Sequence, residues 1–234
     1  MKGAKIKGFI PTSLIDYPGK IASIVFFPRC NFSCPFCFNP EMVNDSEELK
    51  EIDPENIFSY LESQRKWIDG VCLTGGEPTL HEGLPELISE IKKRGFLVKL
   101  DTNGSNPEML KKLLDEKLVD YVAMDIKAPL EKYEKSANSK VNLGNIKRSV
   151  DLIRSSGVEY EFRTTVVPEL FDKNDAIAIG QWLKGSKKYF LQQFRPDKTL
   201  NKSFQSQKQY TPEQLKEFAE LAKPYFEKVE VRGI

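Results

Sequence analysis

Ala22-Ser23-Ile24-Val25-Phe26-Phe27-Pro28-Arg29-Cys30-Asn31-Phe32-Ser33-Cys34-Pro35-Phe36-Cys37 runs a short apolar segment directly into three cysteines. Its first six residues are continuous, apolar and rich in β-favouring side chains, which reads as a fully buried strand. Pro28 ends it, and the cysteines follow on a loop at its C-terminal end.

Outward from this strand the chain alternates. Asp53 caps a helix with Pro54 at its first position, and Ile57, Tyr60 and Leu61 share one face. A strand is expected over 70–74. Leu84, Leu87, Ile88 and Ile91 stripe the next helix, Gly95 stops it, and 96–100 returns as a strand. Asn106-Pro107 opens a third helix bearing Leu110, Leu113 and Leu114, followed by a strand over 121–126. Ile146, Val150 and Ile153 mark a fourth helix ending near Gly157. Strands are then expected at 161–167, 189–194 and 229–231, with helices around 176–183 and from Thr211-Pro212.

Strands alternating with helices imply right-handed crossovers and a parallel sheet. About six such units, against the eight of a closed barrel, predict an α/β fold built as a partial, open (β/α)6 barrel with parallel strands. A doubly wound open sheet is the alternative, since periodicity does not show whether the sheet curls. Ligands collect at the C-terminal strand ends in both. One domain is expected over 1–234, with an N-terminal segment 1–21. The C-terminal segment 195–234 has no motif and is a candidate for partner contacts.

The 35 Lys and Arg balance 34 Asp and Glu without a long block of one sign, so bulk attraction to nucleic acid or membrane is not indicated. The lysines of residues 1–7 precede no apolar leader core, and no stretch approaches the ~18 apolar residues of a membrane span. A cytoplasmic protein is expected. His81 is the sole histidine, which excludes mechanisms needing several imidazoles.

Three of the four cysteines fall within eight residues, a poor disulfide framework and a good metal-binding one. Spacing alone leaves two readings open. A structural zinc site would need a fourth ligand, from Cys72 or His81. An iron–sulfur cluster on Cys30, Cys34 and Cys37 would keep one iron without a protein ligand, whereas ferredoxin-type sites take four cysteines. A non-catalytic zinc or electron-transfer module is the bland form of these readings.

The C-x3-C-x2-C spacing with Phe36 before its last cysteine, joined to Gly75-Gly76-Glu77-Pro78 after the second strand, resembles the radical S-adenosylmethionine (SAM) superfamily. The resemblance implies a [4Fe–4S] cluster on Cys30, Cys34 and Cys37 whose open iron is chelated by SAM, with Phe36 beside the cofactor. Gly75 and Gly76 would let backbone approach SAM closely, with Glu77 in support. Reductive cleavage of SAM to a 5′-deoxyadenosyl radical is the implied chemistry.

Ser13-Leu14-Ile15-Asp16-Tyr17-Pro18-Gly19 and Cys37-Phe38-Asn39-Pro40-Glu41 are similar to segments of glycyl-radical-enzyme activases, especially the activating proteins of anaerobic ribonucleoside-triphosphate reductases. Phe38 departs from the histidine usual there. Asp101-Thr102-Asn103-Gly104 and Asp125-Ile126-Lys127 also match the activases. By that resemblance Asp101, Asp125, Lys127 and Arg163 hold the carboxylate end of SAM, partly through a monovalent cation. The bland readings are a structural salt bridge and a strand-edge arginine. A glycyl-radical enzyme as protein substrate and reduced flavodoxin or ferredoxin as electron donor are likewise implied. A small-molecule enzyme similar to 7-carboxy-7-deazaguanine synthase is the second reading. Cys72 reads as a buried structural thiol, Trp67 and Trp182 as core, and Lys187, Lys188, Arg195 and Lys198 as a solvated face.

Overall fold

A computed structural model describes residues 4–234, so residues 1–3 of the N-terminal segment lie outside the described residues. The chain forms two compact units. The first comprises residues 4–31, 41–123 and 145–159, the second residues 32–40, 124–144 and 160–234.

In the first unit β1 (Gly8–Ser13) pairs antiparallel with β2 (Ala22–Phe27), and β3 (Gly70–Gly75) and β4 (Leu97–Thr102) follow in parallel. After the four-residue α1 (Pro40–Val43), the helices α2 (Pro54–Ser63), α3 (Leu84–Lys93) and α4 (Pro107–Asp115) come after β2, β3 and β4. Their starts follow from capping: Asp53 accepts from the amide of Glu55 and Asn106 from that of Met109, each with Pro at the helix start. Leu84, Leu87, Ile88 and Ile91 of α3 are at most 1% exposed, and burying each contributes about 1.5–3 kcal/mol.

In the second unit β6 (Glu159–Val166), β7 (Ser186–Gln193) and β8 (Phe226–Arg232) pair in parallel. The helices α7 (Lys173–Trp182) and α8 (Pro212–Ala222) both start with capping boxes, Asp172 with Asp175 and Thr211 with Gln214. Between the two sets of strands the chain supplies β5 (Tyr121–Asp125), the short α5 (Tyr133–Ala137) and α6 (Leu143–Ser155).

Strands are hydrogen-bonded in chain order from β1 to β8, which leaves β1 and β8 as edges. A doubly wound sheet reverses its order at a switch point. No reversal occurs, so the open (β/α)6 reading holds: six helices, α2, α3, α4, α6, α7 and α8, alternate with the strands β2 to β8.

Three features depart from expectation. The N-terminal segment contributes the antiparallel edge strand β1. Residues 133–137 are helical. Trp67, expected in the core, is 71% exposed, because it follows the end of α2 in a turn; Trp182 is half-buried and meets the ring of Tyr133 edge-on at 6.4 Å.

Glu161 on β6 is fully buried and accepts a bidentate pair of bonds from Arg232 on β8, at 2.6 and 2.9 Å. The guanidinium lies 3.4 Å over the ring of Phe190 on the intervening β7. Arg232→Ala removes two charge-assisted bonds from the buried carboxylate and should lower unfolding stability by about 1–3 kcal/mol, read from urea denaturation, and Arg232→Lys should recover only part because the planar fork is lost.

Candidate functional site

The cysteine loop begins where β2 ends, and the first unit shows how its start is fixed. The β2–β3 register ends with Phe27 opposite Gly75. The amide of Gly76 donates to the Phe27 carbonyl and that of Glu77 to the Arg29 carbonyl, both at 2.8 Å. A Cβ on Gly75 would stand 2.5 Å from the backbone nitrogen and oxygen of Phe27; one on Gly76 would stand 1.9 Å from the Arg29 carbonyl oxygen. The sequence reading kept these glycines free of Cβ for the sake of a ligand. In the structure the space belongs to the backbone just before Cys30.

Glu77 is fully buried and accepts four bonds from its own chain: from the Thr79 amide (3.1 Å) and hydroxyl (2.6 Å), the Thr102 hydroxyl (2.8 Å) and the Asn103 amide (2.6 Å). Burial pushes its carboxyl above the usual range, against the lowering effect of these donors. Glu77 thus ties the turn after β3 to the end of β4. Asn103 in turn directs Nδ2 to Cys30 Sγ at 3.7 Å and to Asn31 Oδ1 at 2.9 Å. An N–H aimed at a metal-binding sulfur tunes that sulfur, a role the sequence reading did not give to Asn103.

The two candidates for a fourth zinc ligand have other tasks. His81 is buried, and its Nε2 donates to the Pro28 carbonyl at 2.8 Å, since a carbonyl only accepts. Burial keeps the ring below its ordinary pKa, hence neutral. Cys72 is buried within β3, where the Lys99 ammonium stands 3.6 Å from its sulfur. Lys99 also pairs with Asp101 at the end of β4.

In the second unit Cys34 is buried and Cys37 half-buried, and the Cys37 amide donates to the Cys34 carbonyl at 3.0 Å. Burial pushes the Cys34 thiol up to about 11, with Lys127 opposing. Such a thiol becomes a thiolate when a metal displaces its proton. The loop is braced from α5: the Ser33 amide donates to the Ala137 carbonyl and the Ser139 hydroxyl, both at 3.0 Å. Asn138, at φ +46°, donates to the Ser33 carbonyl at 3.3 Å. From the C-terminal segment, the Asn201 amide donates to the Pro35 carbonyl at 2.9 Å. Phe36 is buried, and Phe38 lies under the Arg195 guanidinium at 4.6 Å, a cation–π contact at the position where a histidine was expected.

Asp125, at the end of β5, takes Lys127 Nζ at 3.0 Å and Arg163 Nε at 2.9 Å. Burial alone would raise its pKa, but Arg163 and then Lys127 outweigh it and hold the carboxyl well below the usual range. Burial would likewise lower Lys127, and Asp125 overrides it, so the ammonium stays charged. The predicted site residues thus fall into two sets. Cys30, Gly75, Gly76, Glu77 and Asp101 lie in the first unit; Cys34, Phe36, Cys37, Asp125, Lys127 and Arg163 lie in the second.

Three soft thiols on one continuous loop, one of them faced by an amide donor, are a donor set suited to an iron–sulfur cluster. Residues 24–178 match the model of the radical SAM superfamily. The chain belongs to the radical SAM superfamily. It is 33% identical over 236 residues, 99% of this chain and 97% of the other, to a Methanocaldococcus jannaschii protein provisionally named a glycyl-radical enzyme activating enzyme. It is 30% identical over 173 residues, 70% of this chain and 69% of the other, to the pyruvate formate-lyase-activating enzyme of Clostridium pasteurianum. Among solved structures, Streptococcus suis SuiB bound to S-adenosylmethionine shares the fold with a TM-score of 0.68 at 13% identity, over 90% of this chain and 52% of that one. A radical SAM protein is an enzyme whose cofactors are a [4Fe–4S] cluster and SAM. Among the described residues no helix is long and apolar enough to cross a membrane.

Because Arg29 and Gly76 meet through backbone, no side-chain rotation relieves the crowding. Gly76→Ala should leave far-UV circular dichroism unchanged while anaerobically reconstituted protein retains markedly less iron and sulfide than wild type. An iron content equal to wild type would mean that the loop start tolerates displacement.

Proposed function

We propose that this radical SAM enzyme is an activase that places a glycyl radical on a partner enzyme, an anaerobic ribonucleotide reductase. The observation that carries the activase reading is identity over nearly the whole length, at 33% over 99% of the chain, with a relative provisionally named a glycyl-radical enzyme activating enzyme; the reductase as partner rests on the likeness of residues 13–19 and 37–41 to its activating proteins. The activase-like segment supports it as a built feature. Ser13 Oγ bonds to Asp16 and accepts from the Ile15 amide at 3.2 Å, and Tyr17 is buried against Tyr121, while Leu14 and Ile15 are 72% and 87% exposed.

In this reading Cys30, Cys34 and Cys37 hold the cluster, and Asn103 donates to the sulfur of Cys30. Gly75 and Gly76 fix the loop start, Glu77 fixes the turn beyond it, and Phe36 lines the cofactor. Asp101, Asp125, Lys127 and Arg163 receive the carboxylate end of SAM. Arg163, held at Nε by Asp125, presents its planar fork in one orientation, which suits bidentate binding of a carboxylate. A cluster on these cysteines would supply the electron for reductive cleavage of SAM, and that chemistry would provide the radical for removing a hydrogen from the Cα of the partner's glycine. Reduced flavodoxin or ferredoxin is the donor, and the cytoplasm is the compartment.

Two outcomes are expected. Replacing Cys30, Cys34 or Cys37 with Ala should abolish both the cluster spectrum and SAM cleavage, whereas Cys72→Ala should retain both. Reduced protein with SAM should generate a doublet electron paramagnetic resonance signal on the cognate reductase, with deuterium passing from a glycine deuterated at Cα into 5′-deoxyadenosine. No radical on the reductase, with turnover of a small heterocycle instead, would establish the small-molecule reading.

A further inference from the structure

Asn103 is buried directly after β4, and each polar atom of its side chain is engaged within the first unit. Its Oδ1 accepts from the Ser105 amide at 2.9 Å, which closes an Asx turn. That bond fixes which way the carboxamide faces, so Nδ2 is the atom turned to the cysteine loop. The two N–H groups fork: one donates to Asn31 Oδ1 at 2.9 Å and the other to Cys30 Sγ at 3.7 Å. A turn of this kind needs the oxygen alone. Both donors are surplus to it and are directed to Cys30 and the residue that follows.

We propose that Asn103 sets the reduction potential of the cluster: its N–H, held on the sulfur of Cys30, favours the reduced state and makes reduction easier. The proposal rests on the reading of Cys30 as a cluster ligand. One-electron reduction adds a negative charge that the ligand sulfurs share, and a donor N–H stabilises a sulfur more as that charge grows. The bond therefore moves the equilibrium toward the reduced form.

The surroundings hold the donor still. Asn31 Oδ1 also accepts from Ser105 Oγ at 3.3 Å, so the residue after Cys30 is tied to both ends of the turn. α6 secures the turn as well: Asn145 Nδ2 donates to the Ser105 carbonyl at 3.1 Å, and Ser149 Oγ to the Gly104 carbonyl at 2.7 Å. The backbone amide of Asn103 is committed to Glu77 Oε2 at 2.6 Å. A carboxamide fixed at so many points need not reorganise when charge arrives on the sulfur, and a donor oriented in advance is the effective kind.

The test is a dithionite titration of SAM-free, anaerobically reconstituted protein followed by electron paramagnetic resonance, with iron and sulfide counted per chain. Asn103→Ala should keep the cluster and shift the reduction equilibrium about tenfold toward the oxidised form, about 59 mV for one electron. Asn103→Asp keeps an acceptor for Ser105 but replaces the N–H with a negative charge, and should shift it further. Asn31→Ala removes only the second anchor of Nδ2, at an exposed residue, and should give a smaller shift in the same direction. A residue that merely shaped the turn would alter cluster content and leave the potential alone. Reduction equilibria within about twofold of wild type in both Asn103 variants therefore overturn the proposal. Should neither variant retain a cluster, Asn31→Ala decides alone, and an unshifted potential there overturns it. A wild-type protein that assembles no cluster overturns the reading of Cys30 itself, and this proposal with it.

Discussion

At Gly75 and Gly76 no Cβ has room, and the amides of Gly76 and Glu77 donate to the carbonyls of Phe27 and Arg29 just before Cys30. Everything the loop start does depends on this. Cys30 follows Arg29 directly, so its position is set by main-chain bonds rather than by a side chain that could rotate. Glu77, the next residue, then carries the constraint onward: its buried carboxylate gathers donors from Thr79, Thr102 and Asn103 and so locks the end of β4 to the turn after β3. Burying a carboxylate is costly, and four hydrogen bonds offset that cost only while all four donors stay in place. Asn103 completes the circuit by returning to Cys30.

The remainder of the loop is held by different means. Cys34 and Cys37 sit in a stretch braced at Ser33 by α5 and at Pro35 by Asn201. Both braces come from segments without a recognisable motif, which gives the C-terminal segment a structural task close to the cysteines whatever partner it meets. Phe38 shows the same economy. Without a histidine's ring nitrogens the position makes no hydrogen bond through its side chain, and Arg195 covers the ring instead.

Much of the fold was legible because buried strands and amphipathic helices carry strong periodicity. Ala22–Phe27 was read at its observed limits, and Asp53-Pro54 and Thr211-Pro212 marked true helix starts. β1 was not legible, since as an edge strand it leaves Ile10, Pro11 and Thr12 exposed and shows no alternation. Five residues of α5 span too few turns to establish a period. Tyr60, read on the apolar face of α2, is half-buried and instead meets Phe9 edge-on at 5.4 Å. For the site, the cysteines and glycines were visible through spacing, but the reason for the glycines was not, because their neighbours lie far away in sequence, across the β2–β3 pairing of Phe27 with Gly75. Lys99 was invisible for a simpler reason. A lysine in a strand reads as a solvent-facing residue, and only the register beside Cys72 and the contact with Asp101 reveal a buried ammonium.

That ammonium changes how the acidic motifs are understood. Asp101 pairs with Lys99 in the first unit, and Asp125 pairs with Lys127 and Arg163 in the second. Asp125 remains ionised to low pH because Arg163 and Lys127 outweigh its burial, and Lys127 remains protonated because Asp125 outweighs its own. Asp125 and Lys127 are therefore not poised to move protons near neutrality, which fits residues that orient a ligand better than residues that act as general bases. Asp125 thereby fixes the Lys127 ammonium and the Arg163 guanidinium in place, two cations held beside the end of β5.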